Sequence, residues 1–176
     1  SKLGVYMAAE RWRELLLFIP ASLSQTVFAY FSHLRGAKDE DGYAKLFRLN
    51  LAAHVVLAAI PACTLLFFPR EAMSVFGTGF EGGTITLCMM AVSALPIVVN
   101  NLLGQVLQSR GMIWWRFYCD VLLSGTYTIL GLLLIPRWQD QGMALGSLLA
   151  FIITGLVLWV LIRRLMGNRF MMLRFC

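Results

Sequence analysis

The sequence predicts an all-α, polytopic membrane helix bundle of about five transmembrane helices. Three observations carry that expectation: 59% of the 176 residues are hydrophobic, only 14% are charged, and mean hydropathy is +0.74. A soluble domain of this size needs more polar surface than that. The apolar residues also fall into stretches of helix length, separated by short segments rich in Gly, Pro and charge. Running from Ser1 to Cys176, with no initiator Met and no signal peptide, the chain reads as one transmembrane segment, 1–176, cut from a longer protein.

The first span is expected at about 4–34. Its apolar core is interrupted by Pro20, Ser22, Ser24, Gln25 and Thr26, while Glu10, Arg13, Glu14, Ala21, Ser24 and Gln25 share one arc at helical pitch. Membrane helices tolerate a proline where neighbouring helices or water satisfy the freed carbonyl, here that of Leu16. RGAKDEDGYAKLFR, 35–48, reads as a charged loop, and 49–68 is apolar for long enough to cross a hydrocarbon core of about 30 Å. The stretch 70–83, with FGTGFEGG, reads as a short loop.

The third span, about 85–108, organises the chain. At about 100° per residue, Ser93, Ala94, Asn100, Asn101, Gly104, Gln105 and Gln108 fall on one arc of about 140°, opposite Val98, Val99, Leu102, Leu103, Val106 and Leu107. Two readings stand for the amides. They hold helix to helix, or they line a wet cavity; Pro96 adds a bending point that suits a gate.

The fourth span, about 113–135, opens on an interfacial aromatic belt of Trp114, Trp115, Phe117 and Tyr118, and carries Ser124, Thr128 and Gly131 on one side. A closing turn, 136–141, leads to the fifth span, about 143–162. There Gly142, Gly146, Ala150 and Thr154 repeat every four residues, the spacing that lets membrane helices approach closely.

Five spans put the two ends of the chain on opposite sides. One side collects Arg35, Lys38, Lys45, Arg48, Arg110, Arg116, Arg163, Arg164, Arg169 and Arg174, and the other Lys2, Arg11, Arg13, Arg70 and Arg137. The excess of positive charge places the C-terminus in the cytoplasm. Scattered at helix ends, these 15 cations form no stripe for nucleic acid.

Enzyme chemistry is not expected. HExxH, P-loop, GxSxG and CxxC signatures are absent, no metal site or cofactor is indicated, and Cys63, Cys88, Cys119 and Cys176 read as buried free thiols. His33 and His54 read as hydrogen-bonding residues at helix ends. Asp120, four residues after Arg116, is an ion-pair partner or a cation site. Glu10, Arg11, Arg13 and Glu14 are solvated charges at a helix mouth, or they line a cavity in which a guanidinium meets an anionic headgroup.

Taken together, LGVYMAAERWRELL, AKLFRLNL, FGTGFEGG, NNLLGQVLQSRG and GMALGSLLA resemble the C-terminal half of a polysaccharide flippase. The group belongs to the multidrug/oligosaccharidyl-lipid/polysaccharide exporter superfamily, with most likeness to O-antigen or lipopolysaccharide repeat-unit transporters. The resemblance implies two pseudo-symmetric bundles around a cavity that opens alternately to each side of the bacterial inner membrane. Its cargo would be an undecaprenyl-pyrophosphate-linked oligosaccharide, and its partners membrane lipid and the N-terminal bundle missing from this segment. On that reading Arg11 and Arg13 are candidates for the headgroup, Asn100, Asn101, Gln105 and Gln108 for sugar hydroxyls, and Glu10, Glu14 and Asp120 for ion coupling. A cation-coupled multidrug exporter of the same superfamily and a non-transporting membrane scaffold are the alternatives.

Overall fold

The computed structural model describes residues 2–37 and 39–166 of the chain and is all-α. Its elements are α1 (Lys2–Gly36), α2 (Glu40–Phe67), α3 (Pro69–Ser74), a 3-10 turn (Thr78–Gly83), α4 (Thr84–Ser109) and α5 (Ile113–Met166). Pro20, Pro61 and Pro96 lie inside α1, α2 and α4 without ending them.

Two segments that read as loops are partly helical. α2 starts at Glu40 because Asp39 caps it: the backbone N–H of Gly42 donates to Asp39 Oδ1 at 2.9 Å. Glu40 and Asp41 then sit in the first turn, where carboxylates complement the helix dipole. The acidic half of the expected loop is thus a helix start. In the stretch 70–83, Pro69 occupies the first turn of α3, where its missing N–H costs nothing. Trp12 anchors that short helix to α1 by donating Nε1–H to the Ala72 carbonyl at 3.0 Å, and its ring meets Phe76 edge-on.

α4 is the central helix, packed by α1, α2 and α5. Half (50%) of its apolar stretch is buried inside the bundle, against 19% for α1. Two cores form along it. Near the start of α1, Ala9, Leu16, Leu65, Met73, Leu87, Met90, Ala94 and Ala144 pack together. Toward the other end, Phe31, Tyr43, Phe47, Leu103, Leu107, Leu158 and Ile162 do the same. The outer surface keeps large apolar side chains such as Phe18, Ile60, Trp114, Leu132 and Leu156 exposed, which suits contact with lipid.

Among the described residues, four helices are long and apolar enough to cross a membrane. The fourth, α5, has 54 residues, about 80 Å at 1.5 Å per residue, far more than one crossing of about 30 Å needs. It reverses at a single residue, Gln139, with φ 49° and ψ −119°. Gly142 consequently lies against the backbone of Leu134, and Gly146 against Leu130. Where the sequence suggested a turn over 136–141, the chain therefore folds back on one strained residue, giving α5 an arm 113–138 and an arm 140–166. Asp140 pins the reversal: its carboxylate accepts from the Thr86 hydroxyl of α4 at 2.7 Å and meets Lys2 Nζ of α1 at 3.7 Å.

The thiols divide. Cys119 is buried, Cys88 is half-buried, and Cys63 is exposed on the bundle surface, contrary to the expectation of burial; Cys176, Arg169 and Arg174 lie outside the described residues. Cys63 follows Pro61 and Ala62 on α2, and it is Ala62 and Leu65 that turn inward there.

Candidate functional site

The amide arc of α4 divides along its length. Ser93, Asn100 and Gly104 turn inward to both arms of α5, whereas Asn101 and Gln108 are exposed and Gln105 is half-buried between them. Asn100, 4% exposed, donates from Nδ2 to the Phe151 carbonyl at 2.8 Å, and its own backbone carbonyl accepts from Arg116 Nη1 at 3.2 Å. Both contacts depend on missing side chains. A Cβ at Gly155 would meet Asn100 Oδ1 at 2.6 Å, and one at Gly104 would run into the Arg116 guanidinium. Asn100 therefore acts as interhelical glue. On the other edge, Asn101, Gln105 and Gln108 recur at i, i+4 and i+7; Asn101 and Gln108 are exposed, whereas Gln105 is half-buried and its Oε1 is buried without a hydrogen-bond partner among the described residues.

The charged pairs of α1 part in the same way. Arg13 points into the bundle, 11% exposed, donating from Nη2 to Glu10 Oε1 at 2.6 Å and from Nη1 to the Ser93 and Ser147 hydroxyls at 3.3 Å each. α1, α4 and the second arm of α5 are joined through this one side chain. Glu10 Oε2 is buried without a partner among the described residues. Arg11 and Glu14 instead pair on the surface at 2.7 Å, 63% and 55% exposed, an arrangement worth about 0–1 kcal/mol that leaves the guanidinium available.

A groove of about 610 Å³ opens along the first arm of α5 between Phe117, Asp120, Val121, Ser124, Gly125, Thr128 and Ile129. Asp120, Ser124 and Thr128 lie one turn apart, a polar line in an otherwise apolar span. The Asp120 carboxylate accepts from Arg116 Nε at 3.0 Å yet stays 48% exposed. Arg116 links the groove to the buried side of α4, through the carbonyl of Asn100. Tyr127, on the same arm, meets Tyr6 of α1 hydroxyl to hydroxyl at 3.2 Å.

Sequence reasoning missed three placements. Asp140, hidden in PRWQDQG, is buried and ties α5 to α4; its signal was a carboxylate directly after a candidate turn. At the opposite end, Tyr43 and Ser109 share a hydrogen bond at 2.7 Å, Arg35 donates to the Ser109 carbonyl, and Arg110 pairs with Glu40 at 2.7 Å while its guanidinium lies over the Tyr43 ring at 4.8 Å. His54, expected at a helix end, lies in the middle of α2 and is 1% exposed, between Ser24 and Pro20 of α1 and its own helix. Its signal was an ionisable residue within the run AAHVV. Among the described residues no group of three or more His, Cys, Asp or Glu is placed to hold a metal ion.

The chain matches the family profile described as Lipid II flippase MurJ over residues 3–175. No curated protein and no solved structure matches it.

Proposed function

Because the chain belongs to the lipid II flippase MurJ family, a family of multi-pass transporters of the bacterial inner membrane, we propose that it forms part of the path by which a lipid-linked cell-wall precursor changes leaflet. The family gives a peptidoglycan precursor as cargo, in place of the O-antigen repeat unit that the motif resemblance implied. Both cargoes join a lipid to a glycan through a charged linkage, so the physical demands on the path are the same.

In this reading the segment is the C-terminal bundle of the transporter, its C-terminus is cytoplasmic, and the path opens alternately to each side. The observation that carries the proposal is polar surface left open on apolar spans: Asp120, Ser124 and Thr128 along the α5 groove, and Asn101 and Gln108 along the edge of α4. Exposed to lipid alone, such groups are costly. They are accommodated when they face a wet cavity closed by a second bundle, where they offer hydrogen bonds to sugar hydroxyls. Of the two arginines, Arg11 is the better candidate for the anionic headgroup, because Arg13 is engaged by Glu10, Ser93 and Ser147. Glu10, Glu14 and Asp120 remain the carboxylates for ion coupling; Asp120 combines exposure with a place in the groove.

A scaffold reading is favoured only at Asn100, whose bonds are all to neighbouring helices. The test is replacement. In a bacterium whose own lipid II flippase can be depleted, the complete protein that carries this segment is expected to sustain growth and keep precursor from accumulating on the cytoplasmic leaflet. Lysis with accumulated precursor, despite normal insertion of the protein, removes the proposal.

A further inference from the structure

We infer that His54 is a proton-binding site within the membrane, loaded at Nε2 and placed at the contact of α1 and α2. The ring faces two carbonyl oxygens: Nδ1 lies 2.8 Å from Asn50 O, and Nε2 lies 2.9 Å from Pro20 O. A carbonyl only accepts, so both contacts are favourable only when both ring nitrogens carry hydrogen, which makes the ring a cation. Either neutral tautomer sets a nitrogen lone pair against a carbonyl. One of them has a substitute: Ser24 Oγ also lies 2.9 Å from Nε2 and can donate its hydroxyl hydrogen there. Among the described residues Nδ1 meets no such donor, so the neutral form keeps its hydrogen on Nδ1, bonded to Asn50 O.

The site thus holds a partner set for each charge state. Taking up one proton from the aqueous phase creates N–H at Nε2, turns that nitrogen from the Ser24 hydroxyl to the Pro20 carbonyl, and releases the hydroxyl; losing the proton reverses each change. The setting keeps neither state permanently. The ring's partners are the backbone carbonyls of Asn50 and Pro20 and the Ser24 hydroxyl, all from α1 and α2, and no Asp, Glu, Lys or Arg among the described residues, on these helices or on α4, bonds or pairs with it. A buried imidazolium without a carboxylate is expensive, so the proton is not locked in.

A second observation points to the same place. Asn50, one turn away on the same face of α2 and 5% exposed, has its Nδ2 buried without a partner among the described residues, an unused donor one turn from the ring. Pro20 supplies the means of opening, since it cannot bond to the Leu16 carbonyl and weakens α1 at the residue whose carbonyl meets the imidazole. The role of the proton in transport rests on the flippase reading; the binding of the proton does not.

The experiment labels the histidine ring nitrogens with ¹⁵N in the complete protein, in lipid bilayers, and follows them by solid-state NMR from about pH 5 to about pH 9. A His54→Gln variant identifies the signal. Expected are a doubly protonated ring and a neutral ring carrying hydrogen on Nδ1, with Ser24→Ala moving the Nε2 signal of the neutral ring, which has then lost its hydroxyl donor. A single species throughout, a neutral form with hydrogen on Nε2, or no effect of Ser24→Ala overturns the inference. In vesicles, His54→Gln is expected to translocate precursor but to lose the acceleration that a pH gradient gives the unsubstituted protein. An unchanged response overturns the coupling role. If the unsubstituted protein moves no precursor, the flippase reading fails, and the NMR result still decides proton binding.

Discussion

Removing Arg13 tests whether the junction of α1, α4 and α5 is held by charge. Its guanidinium is 11% exposed and lies 2.6 Å from Glu10, which is 24% exposed. Breaking a buried pair from one side costs about 3–5 kcal/mol, since the remaining charge is left without compensation; partial access of water to Glu10 sets Arg13→Met at the low end, about 3 kcal/mol. The two serines add little to this loss, because Ser93 and Ser147 also donate to the carbonyls of Met90 and Ala144 and keep those bonds. Glu10→Gln leaves a cation that still has two hydroxyl partners and costs about 2 kcal/mol. With both changes no charge remains, so the double variant is expected to lose about 3 kcal/mol rather than about 5, a coupling of about 2 kcal/mol, or roughly 30-fold in the folding equilibrium. Denaturant unfolding of the complete protein in detergent, followed by helical circular dichroism, measures all three variants. Additive losses would show that Glu10 and Arg13 do not act on each other.

Gly155→Val pushes a side chain into Asn100 and should destabilise the α4–α5 contact by about 1–3 kcal/mol in the same unfolding assay, with Asn100→Ala partly relieving the clash. In a protein whose exposed Cys63 is replaced by serine, cysteines at Asn101 and Gln108 are expected to react with a membrane-impermeant thiol reagent, and one at Asn100 to stay protected; equal protection of all three would place the whole arc in packing. Gln139→Gly should stabilise the reversal of α5 by about 1 kcal/mol, seen as a higher melting temperature, because it removes strain at a positive φ. Asp120→Asn preserves the size of the groove-lining side chain and removes its charge, so translocation driven by an ion gradient should fall while the melting temperature stays nearly constant.

Helix positions were legible because burial in lipid or protein forces long apolar runs, and the polar residues within them then stand out. The central place of α4 followed from the same reasoning: a helix with amides on one flank and leucines on the other needs neighbours on both. What the pattern did not separate was Asn100 from Asn101. The two are about 100° apart on the helix, and the packing of Gly155 against Asn100 and of Arg116 against Gly104, a tertiary fact, decides which of them is covered. The start of α2 was lost in the charge of DEDG, although Asp39 followed by acidic residues is itself a capping signal. His54 was read from its isolation along the chain, whereas its partners come from a turn of α1 that lies 34 residues earlier.

Membership of the lipid II flippase family makes transfer of a lipid-linked cell-wall precursor the proposed task of the complete protein. The most direct measurement reconstitutes the complete protein in vesicles with labelled precursor in the inner leaflet and times its appearance on the outer face, beside a carrier lipid bearing an O-antigen repeat unit. Faster crossing of the peptidoglycan precursor than in protein-free vesicles, slowed by Arg11→Ala, is the predicted result. Equal crossing with and without the protein would contradict it.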